Sequence, residues 1–163
     1  MNRRQSMLKI RRAEEKDIEG INKLLYQVHK VHSDGRPDIF KEGKKKYTSE
    51  ELEELIGNDE KPVFVATDEK DCITGYVFCI YQKTEGIESL VDRKVLFIDD
   101  FCVDSNVRGQ NIGGQLYSFI EEEAKKNKCK AITLNVWNFN EGAIRFYKRL
   151  GFDPLKTVME KIM

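Results

Sequence analysis

Val95-Leu-Phe-Ile-Asp-Asp-Phe-Cys-Val103 leads into Arg108-Gly-Gln-Asn-Ile-Gly-Gly114 and then into the helix-like run Gln115 to Lys126. An apolar strand, a glycine-rich turn and a helix in that order form an anion site. Backbone N–H groups point outward together at the turn, and the helix dipole adds partial positive charge behind them. Glycine serves there because a Cβ would hold an anion away from the backbone. The stretch therefore predicts a phosphorylated ligand at the turn.

The elements around it follow from periodicity. Met7 to Arg11 reads as a first strand. Asp17 is placed to cap a helix reaching about Val31, with Ile18, Ile21, Leu24, Leu25 and Val28 on one face. Ser33-Asp-Gly-Arg-Pro-Asp38 is dense in turn residues and reads as a loop. Lys44-Lys-Lys46 reads as a solvated basic patch or a surface that meets an acidic substrate. Thr48 and Glu51 have capping-box spacing, so a short helix should run to Ile56, closed by Gly57 and Pro62. Val63 to Thr67 and Cys72 to Tyr81 are strands joined by a hairpin at Asp68 to Asp71. After Val95 to Val103 and the helix that follows, Ala131 to Val136 is a strand. Asn140 to Leu150 is a helix ended by Gly151, and Val158 to Ile162 is a terminal strand. The order β-α-α-β-β-β-α-β-α-β predicts a mixed α/β (α+β) sheet, with antiparallel hairpins first and a C-terminal βαβ unit.

Bulk properties exclude other classes. The length of 163 residues suits one domain, 1–163. The 28 basic and 28 acidic residues cancel, which argues against nucleic acid and anionic membrane as partners. No apolar run has the length of a membrane span, and no apolar segment follows Met1-Asn-Arg-Arg4, so a cytoplasmic protein is expected. The four cysteines at 72, 79, 102 and 129 have no Cys-x-x-Cys spacing and read as buried reduced thiols. With only His29 and His32 beside them, no metal site is expected.

Three phosphate-binding patterns can be set against the turn. A nucleotide P-loop ends Gly-Lys-Ser/Thr, whereas this turn ends Gly113-Gly114-Gln115. A dinucleotide fingerprint needs G-x-G-x-x-G after a first strand, and glycines at 109, 113 and 114 do not fit it. The third is the coenzyme A turn R/Q-x-x-G-x-G/A. Here Asp99 to Gly114 resembles the acetyl-CoA motif of the GNAT superfamily of N-acetyltransferases. Arg108 and Gly113 fill the first and last positions, and Asn111 stands where the family usually has its first glycine. Asparagine tolerates left-handed backbone better than most residues. A second match, Asn140-Glu-Gly-Ala143-Ile-Arg-Phe-Tyr147 followed by Gly151-Phe152, fills N-x-x-A-x-x-x-Y and G-F. Ile10 to Ala13 followed by Asp17 is like the family's opening. The resemblance covers nearly the whole chain.

That resemblance implies a sheet whose fourth and fifth strands splay to admit coenzyme A, with helices on both faces. Main-chain groups of Phe101, Cys102 and Val103 would pair with the pantetheine arm. Amides of Arg108, Gly109, Gln110, Asn111, Ile112, Gly113 and Gly114 would take the pyrophosphate. Asn140 would cap the last helix and also bond the cofactor. Tyr147 would bind there too and protonate the departing thiolate, which a phenol of pKa ~10 does for a thiol of pKa ~8.5 only when positioned or perturbed.

Asp99 and Asp100 are odd on chemical grounds, because a carboxylate within a buried strand is costly unless paired or functional. Adjacent strand residues face opposite sides, so at most one should face the opening. Register with Cys102 favours Asp100 as the base, and a bulge would reverse that choice. Trp137 reads as a packing residue. The loop from His29 to Phe40 lies where the family builds its acceptor pocket, so His32, Asp34 and Asp38 are candidate substrate contacts. The implied function is transfer of acetyl from acetyl-CoA to a small-molecule or peptide primary amine in a ternary complex, without metal. A non-catalytic coenzyme A-binding or sensing module is the alternative, and a homodimer is a further expectation.

Overall fold

The hairpin of β3 (Ile73–Thr84) and β4 (Arg93–Val103) carries the rest of the molecule. The computed structural model describes residues 8–107 and 110–163. β1 (Lys9–Arg12) and β2 (Val63–Thr67) continue the sheet on one side of the hairpin, and β5 (Ala131–Leu134) on the other. The order is β1-β2-β3-β4-β5, with every pair antiparallel except β4 with β5. That parallel pair needs a crossover, which α3 (Ile112–Lys126) provides.

Side-chain alternation along the hairpin builds a core on each face. Tyr76 and Phe78 of β3 and Cys102 of β4 pack with Ile21, Leu24 and Leu25 of α1 (Ile18–Gly35) and Leu52 of α2 (Ser49–Leu55). Val77, Cys79, Leu96 and Ile98 point the other way, onto Ile112, Leu116, Ile120 and Ala124 of α3. Each such Leu or Ile, fully buried, contributes about 1.5–3 kcal/mol. Helices thus cover both faces of a mixed, mostly antiparallel sheet, as the pattern predicts.

Local chemistry explains the helix ends. The Glu51 N–H donates to Thr48 Oγ1 at 3.1 Å and the Thr48 N–H to Glu51 Oε2 at 2.7 Å, which is the predicted capping box. α1 runs a full turn past Val31, through the predicted loop. Lys30 pairs with Asp34 one turn on at 2.6 Å, and the Ser33 hydroxyl donates to the Lys30 carbonyl at 3.2 Å. The helix stops only at Gly35, because Arg36 precedes Pro37 and is pushed out of helical geometry. Asp17 sits at the start of α1, but its side chain does not bond that helix's amides. It accepts from the Glu14 N–H at 2.8 Å and from both Arg11 Nη atoms at 2.7 and 2.9 Å. Its cap goes to the short 3₁₀ turn Glu15–Asp17, and its charge to β1.

Two sequence expectations need correction. No strand forms at Val158 to Ile162: among the described residues the sheet ends at β5, and Val158 and Ile162 stand 89 and 79% exposed. A strand needs a partner edge for its backbone groups, and this segment makes no ladder. The cysteines also differ, with Cys79 and Cys102 buried, Cys129 half-buried and Cys72 exposed at the hairpin turn. No described helix is long and apolar enough to cross a membrane.

Candidate active site

A single extra residue in β4 shapes the site. Phe78 pairs with Asp100 and Cys79 with Ile98, so Asp99 is bulged out of the register. A bulge puts two residues opposite one and breaks alternation. Both carboxylates therefore point to the α1–α2 face, contrary to the expectation that at most one would, and the bulge adds Asp99 to that face without turning Asp100 away, so it does not reverse the choice between them. Asp100 Oδ2 accepts from the Tyr76 hydroxyl at 3.1 Å, and Asp99 Oδ2 accepts a short bond from the Tyr47 hydroxyl. The Tyr47 ring stacks on Phe78 at 5.1 Å and Phe78 meets Tyr76 edge-on at 4.9 Å, so three rings wall the acid pair. Lys46 Nζ closes the bulge, 3.0 Å from Asp99 Oδ1 and 2.9 Å from the Asp99 carbonyl. A cavity of about 70 Å³ opens beside Tyr47, Phe78 and Asp99.

The two acids differ in proton affinity. Burial pushes the Asp100 carboxyl up to about 6, against the opposing pull of Lys46 and the Tyr76 hydrogen bond. Burial likewise raises the Tyr47 and Tyr76 phenols, with the facing aspartates adding to the rise. Tyr47, Tyr76 and Lys46 were not singled out as site residues from sequence. The strand run around Tyr76 and the lysine run before Tyr47 gave the only signals, and neither reveals a partner 24 or more positions away.

The β4–β5 ladder ends just before the bulge. β5 pairs with β4 from Val95↔Ala131 to Ile98↔Leu134 and stops, while β4 continues to Val103. α4 (Glu141–Arg149) meets this part of β4 through Phe146 and Tyr147. Asn140 caps it as predicted, its Oδ1 accepting from the Ala143 N–H at 3.2 Å. Phe101 and Tyr147 meet there at 6.4 Å between ring centroids, with Phe146 5.6 Å from Phe101. Burial raises the Tyr147 phenol above its ordinary value, and the charge of Asp100 adds to it, so Tyr147 carries its proton at neutral pH.

The glycine-rich turn lies at the start of α3. Arg108 and Gly109 fall outside the described residues; Gln110 is exposed. Asn111 has φ 56° and ψ 29°, the left-handed geometry the turn demands. The first intrahelical bond runs from the Gln115 N–H to the Asn111 carbonyl at 3.1 Å, so the amides of Ile112, Gly113 and Gly114 precede the helical ladder. The Asn111 carboxamide folds over Gly114, where a Cβ would collide with its Oδ1.

The acceptor-side candidates are placed differently. His32 packs on Phe40 at 5.1 Å and on Phe139 at 6.3 Å. Burial lowers its pKa, with His29 and Lys46 adding repulsion. Trp137 packs as expected, on Phe40 at 5.2 Å. Asp34 is paired with Lys30 and Asp38 with Arg36, both at 2.6 Å on the surface. In the basic run, Lys45 bonds Asn22 Oδ1 and the Tyr47 carbonyl at 2.7 Å, so it positions Tyr47 rather than lying solvated.

Comparison with known proteins agrees with this geometry. A family model described as the acetyltransferase (GNAT) family matches residues 25–152. An uncharacterized N-acetyltransferase of Methanocaldococcus jannaschii is 36% identical over 115 residues, covering 71% of this chain and 49% of that relative. The chain thus spans about half the length of that curated relative. A crystal structure of a mutant Bacillus halodurans protein superposes with a TM-score of 0.91 at 31% identity, covering 95% of this chain and 99% of that one. An aminoglycoside N-acetyltransferase solved with coenzyme A shares the fold, with a TM-score of 0.74 at 16% identity over 100% of this chain and 99% of that one. With the family match reaching from α1 to the residue after Gly151, the chain belongs to the acetyltransferase (GNAT) family.

Proposed function

We propose that the chain transfers acetyl from acetyl-CoA to a primary amine in a ternary complex, the described fold acting as one acetyltransferase domain. One observation supports this reading: a protonated phenol, Tyr147, lies within the field of a carboxylate of raised proton affinity, Asp100, with Tyr147 against Phe101 next to that acid. Groups with separated proton affinities across one opening suit a paired acid and base. The residues also fit the cofactor. The left-handed Asn111 turn and the amides of Ile112, Gly113 and Gly114 make an anion cradle for the pyrophosphate, and β4 beyond Ile98, at Phe101, Cys102 and Val103, offers backbone to the pantetheine arm.

Acetyl-CoA supplies the acetyl group as an activated thioester. A primary ammonium has no lone pair for attack, so Asp100 takes its proton first. Tyr76 and Lys46 hold the carboxylate partly ionised near neutral pH. Tyr147 gives its proton to the sulfur as the C–S bond breaks. That help matters because burial makes a thiolate more basic than it is in water. Asp99, tied to Tyr47 and Lys46, positions the bulge and the rim where the amine enters.

Acetyl-CoA and a panel of primary amines, read by release of free thiol, test the proposal. Tyr147→Phe should lower turnover about 10²-fold or more with coenzyme A affinity nearly unchanged, as loss of a general acid does. Unchanged turnover would remove Tyr147 from the mechanism. Coenzyme A binding without thiol release from any amine would favour the non-catalytic module instead.

A further inference from the structure

Five aromatic rings gather outside both buried cores. His32 packs on Phe40 at 5.1 Å, His29 meets Phe40 edge-on at 5.8 Å, and Phe40 meets Trp137 edge-on at 5.2 Å. Phe139 lies 5.9 Å from Trp137 with its ring nearly parallel, and 6.3 Å from His32. None of the five belongs to either core. Local contacts fix the backbone that carries them. The Phe40 N–H donates to the Arg36 carbonyl at 2.9 Å, and His29 Nε2 lies 2.7 Å from the Lys41 carbonyl. A Cβ at Gly35 would lie 2.4 Å from the Phe139 ring, so glycine at the end of α1 gives Phe139 its seat. Trp137 is left open to solvent, at 37% exposure.

The cluster is continuous with the site. Lys46, 3.0 Å from Asp99 Oδ1, is also close enough to His32 to repel its protonated form. On the other side, Phe139 is followed by Asn140, which caps the helix bearing Tyr147. The rings thus adjoin both the segment that holds the acid pair and the helix that carries the proton donor. Their charge surroundings select what they can take. Burial keeps His32 uncharged at neutral pH, and Asp34 and Asp38 are already held by Lys30 and Arg36. Aromatic faces attract cations, but Lys46 opposes a second cation beside His32. A neutral aromatic ring meets no such repulsion and gains the stacked and edge-on contacts that rings make with one another.

We infer that this cluster seats the aromatic body of the acceptor, so that the chain prefers arylalkyl amines, in which a short alkyl arm joins a primary amine to a ring. The inference rests on the acetyl-transfer reading for the fate of the amine, and on the ring cluster alone for the acceptor's body. The amino end reaches Asp100 while the ring lies against Trp137 and Phe40. Those two residues set specificity and take no part in the proton transfers. A ring held by one face buries roughly 80 Å² of apolar surface, enough for an advantage of about 10–30-fold in kcat/KM over a straight-chain amine that shares only the amino end.

Trp137 is the single tryptophan of the chain, which gives a binding readout separate from turnover. With coenzyme A present, phenylethylamine should change the Trp137 emission saturably, whereas butylamine should leave it unchanged. In the thiol-release assay phenylethylamine should exceed both butylamine and putrescine by about 10–30-fold in kcat/KM. Trp137→Ala should bring that ratio below about 3, and Trp137→Phe should keep most of it; a general loss of active protein cancels, because the ratio compares two amines on one variant. An emission response without thiol release would overturn the acetyl-transfer reading and leave the ring site standing. Thiol release without an emission response would overturn the ring site and leave acetyl transfer standing. So would equal use of butylamine or putrescine, or a ratio that Trp137→Ala does not lower. Silence in both readouts overturns both.

Discussion

Replacing Asp100 with asparagine should lower turnover about 10²–10⁴-fold, the range for a lost general base, and at the same time make the protein more stable at pH 8. The two effects share one cause. Burial lifts the Asp100 carboxyl from 3.8 to about 6, so ionising it costs folding free energy. Because the folded value lies above the unfolded one, this group's contribution to stability is fully present below pH 3.8 and is lost as pH rises through about 6. Two units correspond to about 3 kcal/mol, and the remaining solvent contact of Asp100 reduces this to about 1–3 kcal/mol. Asparagine keeps an acceptor for the Tyr76 hydroxyl and removes the charge. The melting temperature should rise by about 2–10 °C at pH 8 and stay unchanged near pH 4. The pH profile of kcat/KM should lose its rising limb near 6. A variant that kept both its activity and that limb would move the base to another group.

The larger stability effect belongs to Asp17. It is 3% exposed and holds Arg11 through two bonds of 2.7 and 2.9 Å. Asp17→Ala should cost about 3 kcal/mol, because breaking a buried pair leaves a charge without compensation. Arg11 keeps the exposed carboxylates of Asp71 at 3.1 Å and Glu14 at 3.7 Å and its bond to the Arg12 carbonyl at 3.0 Å, which limit the loss without abolishing it. Arg11→Met with Asp17→Leu should recover most of the stability, since both charges are then gone. Burial raises the Asp17 carboxyl, but its bonds to Arg11 and to the Glu14 N–H outweigh that and leave it lowered. A depressed carboxylate contributes stability above its unfolded value and loses it as pH falls through the folded one. The variant should therefore differ from the parent in urea melts at pH 7 and converge with it at low pH. A loss below about 0.5 kcal/mol at pH 7 would show the pair to be no more than a surface contact.

Local signals in the sequence carried much of this. The Thr48–Glu51 box, the Asn140 cap and the β2 span are set by neighbouring residues, and each appears in the structure where the pattern put it. The left-handed conformation at 111 follows from one residue type in one turn. The bulge was harder to read. In Val95 to Val103 nothing fixes which residue is extra, because that depends on how β3 pairs with β4 across the hairpin. The Tyr47 and Tyr76 partners of the acid pair come from other elements, so their role depends on tertiary packing. The terminal segment has strand-like composition, but composition does not place it beside a partner edge, and among the described residues it pairs with none.

The packing of Asn111 over Gly114 constrains the order in which this turn can change. A methyl at position 114 meets the Asn111 carboxamide, which must swing aside to admit it, and meets no such side chain once 111 is glycine. The two positions therefore form an epistatic pair. Gly114→Ala alone should displace the carboxamide and disturb the helix mouth, whereas the same change following Asn111→Gly should be nearly silent. A side chain at 111 therefore makes the cost of a change three residues later depend on where its carboxamide can go.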